Sequence, residues 1–195
     1  MQQNNLIHPL ALTALFVVMY LIAFQLQRYV VFPVESLLGW EITEKASIFY
    51  LPAGVQLLAF YFLRWWFVAF ALVARTIIYY QFWETASWTD AAYQAIVVAL
   101  TYPLLLRVFE SNARWHVFGT EHQPDFTVTG VVIFQTLVTL LISLIVAAQG
   151  VMLGMVEQAE ALQYTIHYLI GDVIGAVGVM YAFYLVFKVG LIKLR

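Results

Sequence analysis

Cysteine is absent from the 195 residues, which excludes disulfides and thiolate metal sites and leaves the redox compartment undetermined. Charge is scarce: Asp, Glu, Lys and Arg make up 10% of the chain, against about 25% in an average soluble domain. A soluble surface needs more charge than that to stay dispersed. No run of basic residues exists to contact nucleic acid, and a net charge of −2 says little about partners. Met1–Pro9 carries no Lys or Arg, and no small-residue cleavage site follows the first apolar run. The N-terminus therefore reads as the start of a retained helix and not as a signal peptide.

What is abundant is hydrophobic surface, 64% of residues, in runs long enough to cross a bilayer. A hydrocarbon core of ~30 Å needs about 20 apolar residues as helix. Such runs lie near 9–31, 47–63, 65–83, 90–109, 128–150 and 161–187. They lack the in–out alternation of a membrane β-barrel. The fold class is therefore all-α, a polytopic transmembrane helical bundle of about six spans forming a single integral membrane domain, 1–195. The longest polar stretch, Glu110–Asp125, reads as a loop.

Basic residues set the orientation. With the N-terminus in the cytoplasm, Arg64, Arg107, Arg114, Lys188, Lys193 and Arg195 fall inside, and only Arg28 and Lys45 fall outside. Glu35, Glu41, Glu44, Glu84, Asp90, Glu157 and Glu160 then lie on the external side. Both termini are expected in the cytoplasm, as is the loop around Trp115. The six tryptophans, Trp40, Trp65, Trp66, Trp83, Trp88 and Trp115, all fall near span ends, the pattern of an interfacial belt.

Two local features depart from plain spans. Phe62-Leu63-Arg64-Trp65-Trp66 has no Gly or Pro, yet the apolar run from Ser47 to Phe82 is too long for one crossing. A tight helical hairpin there lets Arg64 reach the headgroups while the tryptophans sit at the interface. One long tilted helix is the alternative. Pro52-Ala53-Gly54 interrupts the second span near its outer end. If the regular helix starts at Pro52, residues 47–51 enter the membrane as non-helical chain, which is tolerated only when buried in protein or lining a cavity. A continuous helix with a mild bend is the other reading. Small residues form stripes on the last two spans: Thr136, Ser143, Ala147, Gly150 and Gly154, then Gly171, Gly175, Gly178 and Ala182. These suit close helix packing within the bundle.

Arg75 and Asp172 each lie about ten residues into oppositely directed spans, so both belong near the midplane. An isolated charge there costs at least ~2.5–3.5 kcal/mol. A shared, hydrogen-bonded pair is the cheapest way to hold both, with Gln56 one helix away. The pair reads either as a ligand-binding or proton-sensitive centre or as an ion pair that fixes helix register. His8, His116, His122 and His167 do not come together by topology, so no metal or haem site is expected. His116 and His122 share a loop with Glu121 and Asp125, a pattern more typical of solvated chain. Glu157 and Glu160 read as a hydrated outer rim. No nucleophile elbow, phosphate loop, zinc-protease motif or glycosidase carboxylate pair is present, so no catalytic residue and no cofactor is assigned.

Two segments resemble the membrane-associated sensor (MASE-type) domains of bacterial signalling proteins. Tyr50-Leu51-Pro52-Ala53-Gly54-Val55, followed by Leu63-Arg64-Trp65-Trp66, is similar to that family's Trp-Pro-(Ala/Pro)-Ala-Gly-Ile helix and Arg-Trp-Trp hairpin. Gly171-Asp172-Val173-Ile174-Gly175-Ala176 resembles its late Gly-Asp-x-x-Gly segment. The family's domain has about eight helices and precedes a diguanylate cyclase, phosphodiesterase or histidine kinase module. Here six spans are expected, the chain stops seven residues past Lys188, and Tyr181-Ala182-Phe183 stands where the family often has a proline.

The resemblance implies a sensory or scaffold module of the bacterial inner membrane, shortened and without its own output domain. The expected function is non-enzymatic: binding a ligand or partner within the bilayer and acting through a membrane protein partner or a second copy. A substrate-capture subunit of a transporter and an accessory subunit of a larger membrane complex are the alternatives. The residues expected to matter are Arg75, Asp172 and Gln56 at the charged centre, and Pro52, Ala53, Gly54, Gly171 and Gly175 at the packed motifs.

Overall fold

The computed structural model describes residues 4–40, 47–82, 87–111, 128–154 and 156–193. Lys45, Glu41, Glu44, Glu84, Trp83, Arg114, Trp115, His116, Gly119, Glu121, His122, Asp125 and Arg195 fall outside these ranges, as do most of the 110–125 loop and the side chains of Lys188 and Lys193. The elements are α1 (Asn4–Leu26), a π-helical turn (Gln27–Val31), α2 (Phe32–Leu37), α3 (Leu51–Leu63), a 3-10 turn (Arg64–Trp66), α4 (Phe67–Phe82), α5 (Trp88–Ser111), α6 (Val128–Met152) and α7 (Ala161–Lys193). Among the described residues there is no strand.

Among the described residues five segments are long and apolar enough to cross a membrane: His8–Leu37, Leu51–Gln81, Trp88–Glu110, Thr129–Met152 and Ala161–Val186. The second is folded double. Gln56 and Arg75, 19 residues apart, would be separated by ~28 Å in a continuous helix at 1.5 Å per residue. Both instead reach one hydroxyl, that of Tyr20, at 3.4 and 2.9 Å. Arg64 makes the reversal with φ 52° and ψ −115°, a conformation that favours glycine. Among the described residues the bundle thus has six rods, each running opposite to the one before it. Tyr80 stacks on Trp88 at one end of the α4–α5 pair, while Phe67 meets Tyr102 further along. Phe109 meets Phe134 and Gln94 meets Gln149 along α5 and α6.

The outside of the bundle is apolar and the inside holds its polar groups. Leu10, Leu15, Ile22, Leu104, Leu141 and Val177 are among the large hydrophobics that face outward. Gln27, Glu35, Ser47, Gln56, Arg75, Gln94, Gln135, Thr139 and Asp172 are buried. That inversion suits a solvent of lipid tails, where an outward polar group finds no partner and an outward leucine costs nothing. The protein is an all-α transmembrane bundle.

Helix α3 lies at its centre, with ten of its thirteen residues buried, as expected for a helix apolar all round. Phe60 on α3 anchors a ring cluster with Phe67, Tyr102 and Phe134, at centroid distances of 5.1, 5.1 and 5.7 Å. Of the two readings of the second span, the broken one describes the structure. Residues 47–50 precede the helix as non-helical chain, Tyr50 is extended (φ −93°, ψ 93°), and Pro52 occupies the first turn.

The first span is longer than the 31 at which its apolar run stops, because the helix continues through the π turn to Leu37. The wide turn sets the register of α2. At ~100° per residue, Glu35 would stand ~80° away from Gln27 around a regular α-helix. One residue absorbed by the turn brings it back to within ~20°. Gln27 and Glu35 therefore face the same side, inward, and both are buried.

Candidate functional site

Two of the polar clusters in the bundle interior touch the α3–α7 seam. At that seam the non-helical segment lies directly on the glycine face of α7. The Tyr50 N–H donates to the Gly171 carbonyl at 3.0 Å. A methyl group at Gly171 would collide with the Ser47 carbonyl, and one at Gly175 with the Tyr50 carbonyl. Gly54 faces Val179 and the Gly175 carbonyl with no room for a Cβ. The glycine stripe of α7 thus receives extended main chain as well as a helix. Pro52, Ala53 and Gly54, all buried, belong to the helical turn after that segment.

The segment's main chain is served by the first cluster. Glu35 Oε1 accepts hydrogen bonds from the Ser47 hydroxyl at 2.8 Å and the Phe49 N–H at 3.1 Å. Gln27 donates through Nε2 to the Ser47 hydroxyl at 2.8 Å and accepts through Oε1 from the Leu51 N–H at 2.9 Å. In a membrane interior, non-helical N–H groups have no water to turn to. Side chains from the π turn and α2 supply the missing acceptors. Glu35, placed by the charge pattern among the external acids, is therefore a buried structural acceptor.

The second cluster holds the intramembrane charges. Arg75 donates through Nη1 to the Tyr20 hydroxyl at 2.9 Å and through Nη2 to the Tyr168 hydroxyl at 3.0 Å. The Tyr20 hydroxyl in turn donates to Gln56 Oε1 at a long 3.4 Å. Gln56 lies beside Tyr102, whose hydroxyl donates to Gln135 Oε1 at 3.1 Å, and Gln135 donates to Thr139 Oγ1 at 3.1 Å. Asp172 stands one helical turn beyond Tyr168 on α7, buried, and within electrostatic reach of Arg75.

The three charged-centre residues expected from the sequence thus share one neighbourhood. The direct contacts of Arg75, however, go to two phenols. Among the described residues no ion pair within 4 Å joins Arg75 to Asp172. Tyr20 and Tyr168 are invisible as site residues in the sequence, where a mid-span tyrosine looks like any other aromatic. One signal is available: Tyr164, Tyr168 and Asp172 repeat every four residues on α7, which puts them on one face. Tyr164 and Tyr168 lie 6.1 Å apart, and Tyr50 lies 6.4 Å from Tyr168.

Chemically, the second cluster offers a guanidinium, a carboxylate and several hydroxyls in a low-dielectric interior. It suits recognition of a small polar group or a change of charge. Among the described residues there is no grouping of three His, Cys, Asp or Glu that would hold a metal ion. Comparison with protein-family models, curated proteins and solved structures finds no match.

Proposed function

We propose that this chain is a non-enzymatic sensory or scaffold module of a bacterial inner membrane, which responds to a ligand or partner at the Arg75–Asp172 cluster and acts through a partner membrane protein. The observation that carries this reading is the adjacent residue pair Gly171-Asp172. Asp172 belongs to the charged cluster, and the Gly171 carbonyl holds the Tyr50 N–H of the broken span. A change of charge or occupancy at Asp172 therefore acts one peptide unit away from the bond that seats the non-helical segment. Arg75 reaches the same segment from the other side, because Tyr168 receives its hydrogen bond and lies against Tyr50. Intramembrane charges beside a broken helix are a recurrent arrangement for binding within membranes. The resemblance to MASE-type domains at Pro52-Ala53-Gly54, Arg64-Trp65-Trp66 and Gly171-Asp172 points the same way.

The test is purification from native membranes in gentle detergent with identification of co-migrating proteins. A cyclase, phosphodiesterase or histidine kinase supports the proposal. A pair of ATPases would replace it with substrate capture for transport, and a stoichiometric large assembly with an accessory role. The proposed orientation puts both termini in the cytoplasm. Because native cysteine is absent, Ser87→Cys and Asn112→Cys report it with an impermeant thiol reagent. Labelling at 87 alone from outside intact cells is expected; labelling at 112 alone would invert the topology.

A further inference from the structure

The α3–α4 hairpin carries a feature that the charged cluster does not use. Beneath Arg64 and Trp65 lies a cavity of about 320 Å³, closed on its other side by Pro103, Leu106, Arg107 and Glu110 of α5. Two guanidinium groups line it, and Arg107 lies over the Trp65 ring at 5.4 Å. Exposed apolar side chains flank it: Trp65, Leu104 and Val108 are each more than 60% exposed. The cavity sits at one end of the bundle, where α3 ends, α4 begins and α5 approaches its last turn.

The backbone supplies a second, independent observation. Arg64 holds φ 52° and ψ −115°, where a glycine would be unstrained and arginine is not. Strain of this kind persists where the surrounding structure over-determines the conformation, and it gathers at ligand clamps. A turn needing only reversal has a better residue available.

We propose that this cavity binds the headgroup of an anionic phospholipid, with Arg64 and Arg107 on the phosphate and Glu110 accepting from a headgroup hydroxyl. Two guanidinium groups and one carboxylate leave the site a formal charge of +1, which matches a phosphodiester of net charge −1 such as phosphatidylglycerol. Guanidinium forks suit phosphate oxygens. The exposed apolar flanks at Leu104 and Val108 give the acyl chains a path along α5. This site is independent of the proposed sensory role, and either stands without the other.

The experiment compares thermal unfolding of the purified full chain in detergent with added phosphatidylglycerol, phosphatidylcholine, or inorganic phosphate at equal concentration, alongside native mass spectrometry of lipid adducts. Phosphatidylglycerol should raise the wild-type Tm by several degrees more than phosphatidylcholine, and inorganic phosphate should have no effect. Arg64→Gly relieves the backbone, so its Tm without lipid should equal or exceed wild type while the phosphatidylglycerol increment disappears. Arg107→Gln should lose at least half of the increment. Arg28→Gln, an exposed arginine on another part of the surface, should keep it. An undiminished increment in Arg64→Gly overturns the proposal, as does an equal rise with phosphatidylcholine. An equal rise with inorganic phosphate would make this a site for free phosphate and not for lipid. Should Arg64→Gly fail to fold, Arg107→Gln against Arg28→Gln decides alone.

Discussion

The two interior polar clusters differ in what their groups are occupied with. Around Glu35, Ser47 and Gln27, every named bond serves the main chain of residues 47–51 or holds a group that does. Around Arg75 and Asp172, the bonds run between side chains from α1, α3, α4 and α7, and none of those named for Arg75, Tyr20 or Tyr168 reaches a peptide group. The first cluster substitutes for backbone hydrogen bonding where helix is broken. The second holds the Arg75 guanidinium on two phenols, with Asp172 within its electrostatic reach. A network that is fully committed to the backbone fixes one structure. One that bridges separate helices through side chains ties those helices to one another, and under the proposed function it is the one whose charge or occupancy changes.

The seam on which both clusters converge is where the largest effect is expected. Gly175→Leu drives a side chain into the Tyr50 carbonyl, which cannot rotate away. Overpacking of a core typically costs about 1–3 kcal/mol when side chains can yield. Here backbone must move, so loss of a monodisperse folded species in size-exclusion chromatography is expected. Gly154→Leu is the control: its φ of 68° strains any larger residue, but no atom stands within 4 Å of an added Cβ. Folded yields equal for the two variants would mean that the glycine seam does not hold the broken span.

Much of this seam is legible in the sequence, and the part that is not has a physical reason. Pro52 suits a helix start, and a helix counted from it is too short to cross a bilayer. That leaves two readings, non-helical chain before it or a continuous bent helix; the structure takes the first. Arg64-Trp65-Trp66 in an overlong apolar run announces the hairpin. The α7 glycines announce close approach but not what approaches, because a missing Cβ admits a helix or an extended strand of main chain alike. The π turn at Gln27–Val31 leaves no mark in composition, and it is what turns Glu35 inward. Glu35 therefore looks, in sequence, like one more external acid. Asp172 and Arg75 are legible through cost alone, since charge at that depth requires company. Their company is Tyr20 and Tyr168, which hydropathy counts as ordinary span residues.

Next in size is the charged cluster. Arg75→Ala removes the donor to two hydroxyls and leaves the Asp172 charge without its opposite. Asp172→Ala leaves the guanidinium in the same position. Orphaning one member of a buried pair costs about 3–5 kcal/mol in soluble proteins. Each variant should therefore lower the melting temperature in detergent, and the double variant should recover part of the loss because no lone charge remains. Recovery requires electrostatic coupling without direct contact, which is how the structure arranges them. Strictly additive losses would mean that the two charges do not feel each other. If the double Leu variant folds and still recovers the proposed partner protein, the cluster is structural and its difference from the Glu35 cluster disappears.

The smallest expected effect comes from Ser47→Ala in the backbone-serving cluster. The Ser47 hydroxyl accepts from Gln27 and donates to Glu35, at 2.8 Å in each case. Its removal leaves Gln27 Nε2 short of a partner, but the Phe49 N–H keeps its bond to Glu35 and the Leu51 N–H keeps its bond to Gln27. An unsatisfied buried polar group costs about 1–3 kcal/mol, and alanine leaves room for Glu35 and Gln27 to approach each other, so the loss should lie near the lower end. The melting temperature should fall by a few degrees, and partner recovery per folded molecule should stay at the wild-type level. That second measurement separates the clusters, because a residue that only completes the backbone affects how much protein folds and not what the folded protein binds. Unchanged stability with lost partner recovery would exchange their roles, making the Glu35 neighbourhood the responsive site and the Arg75 neighbourhood the fastening.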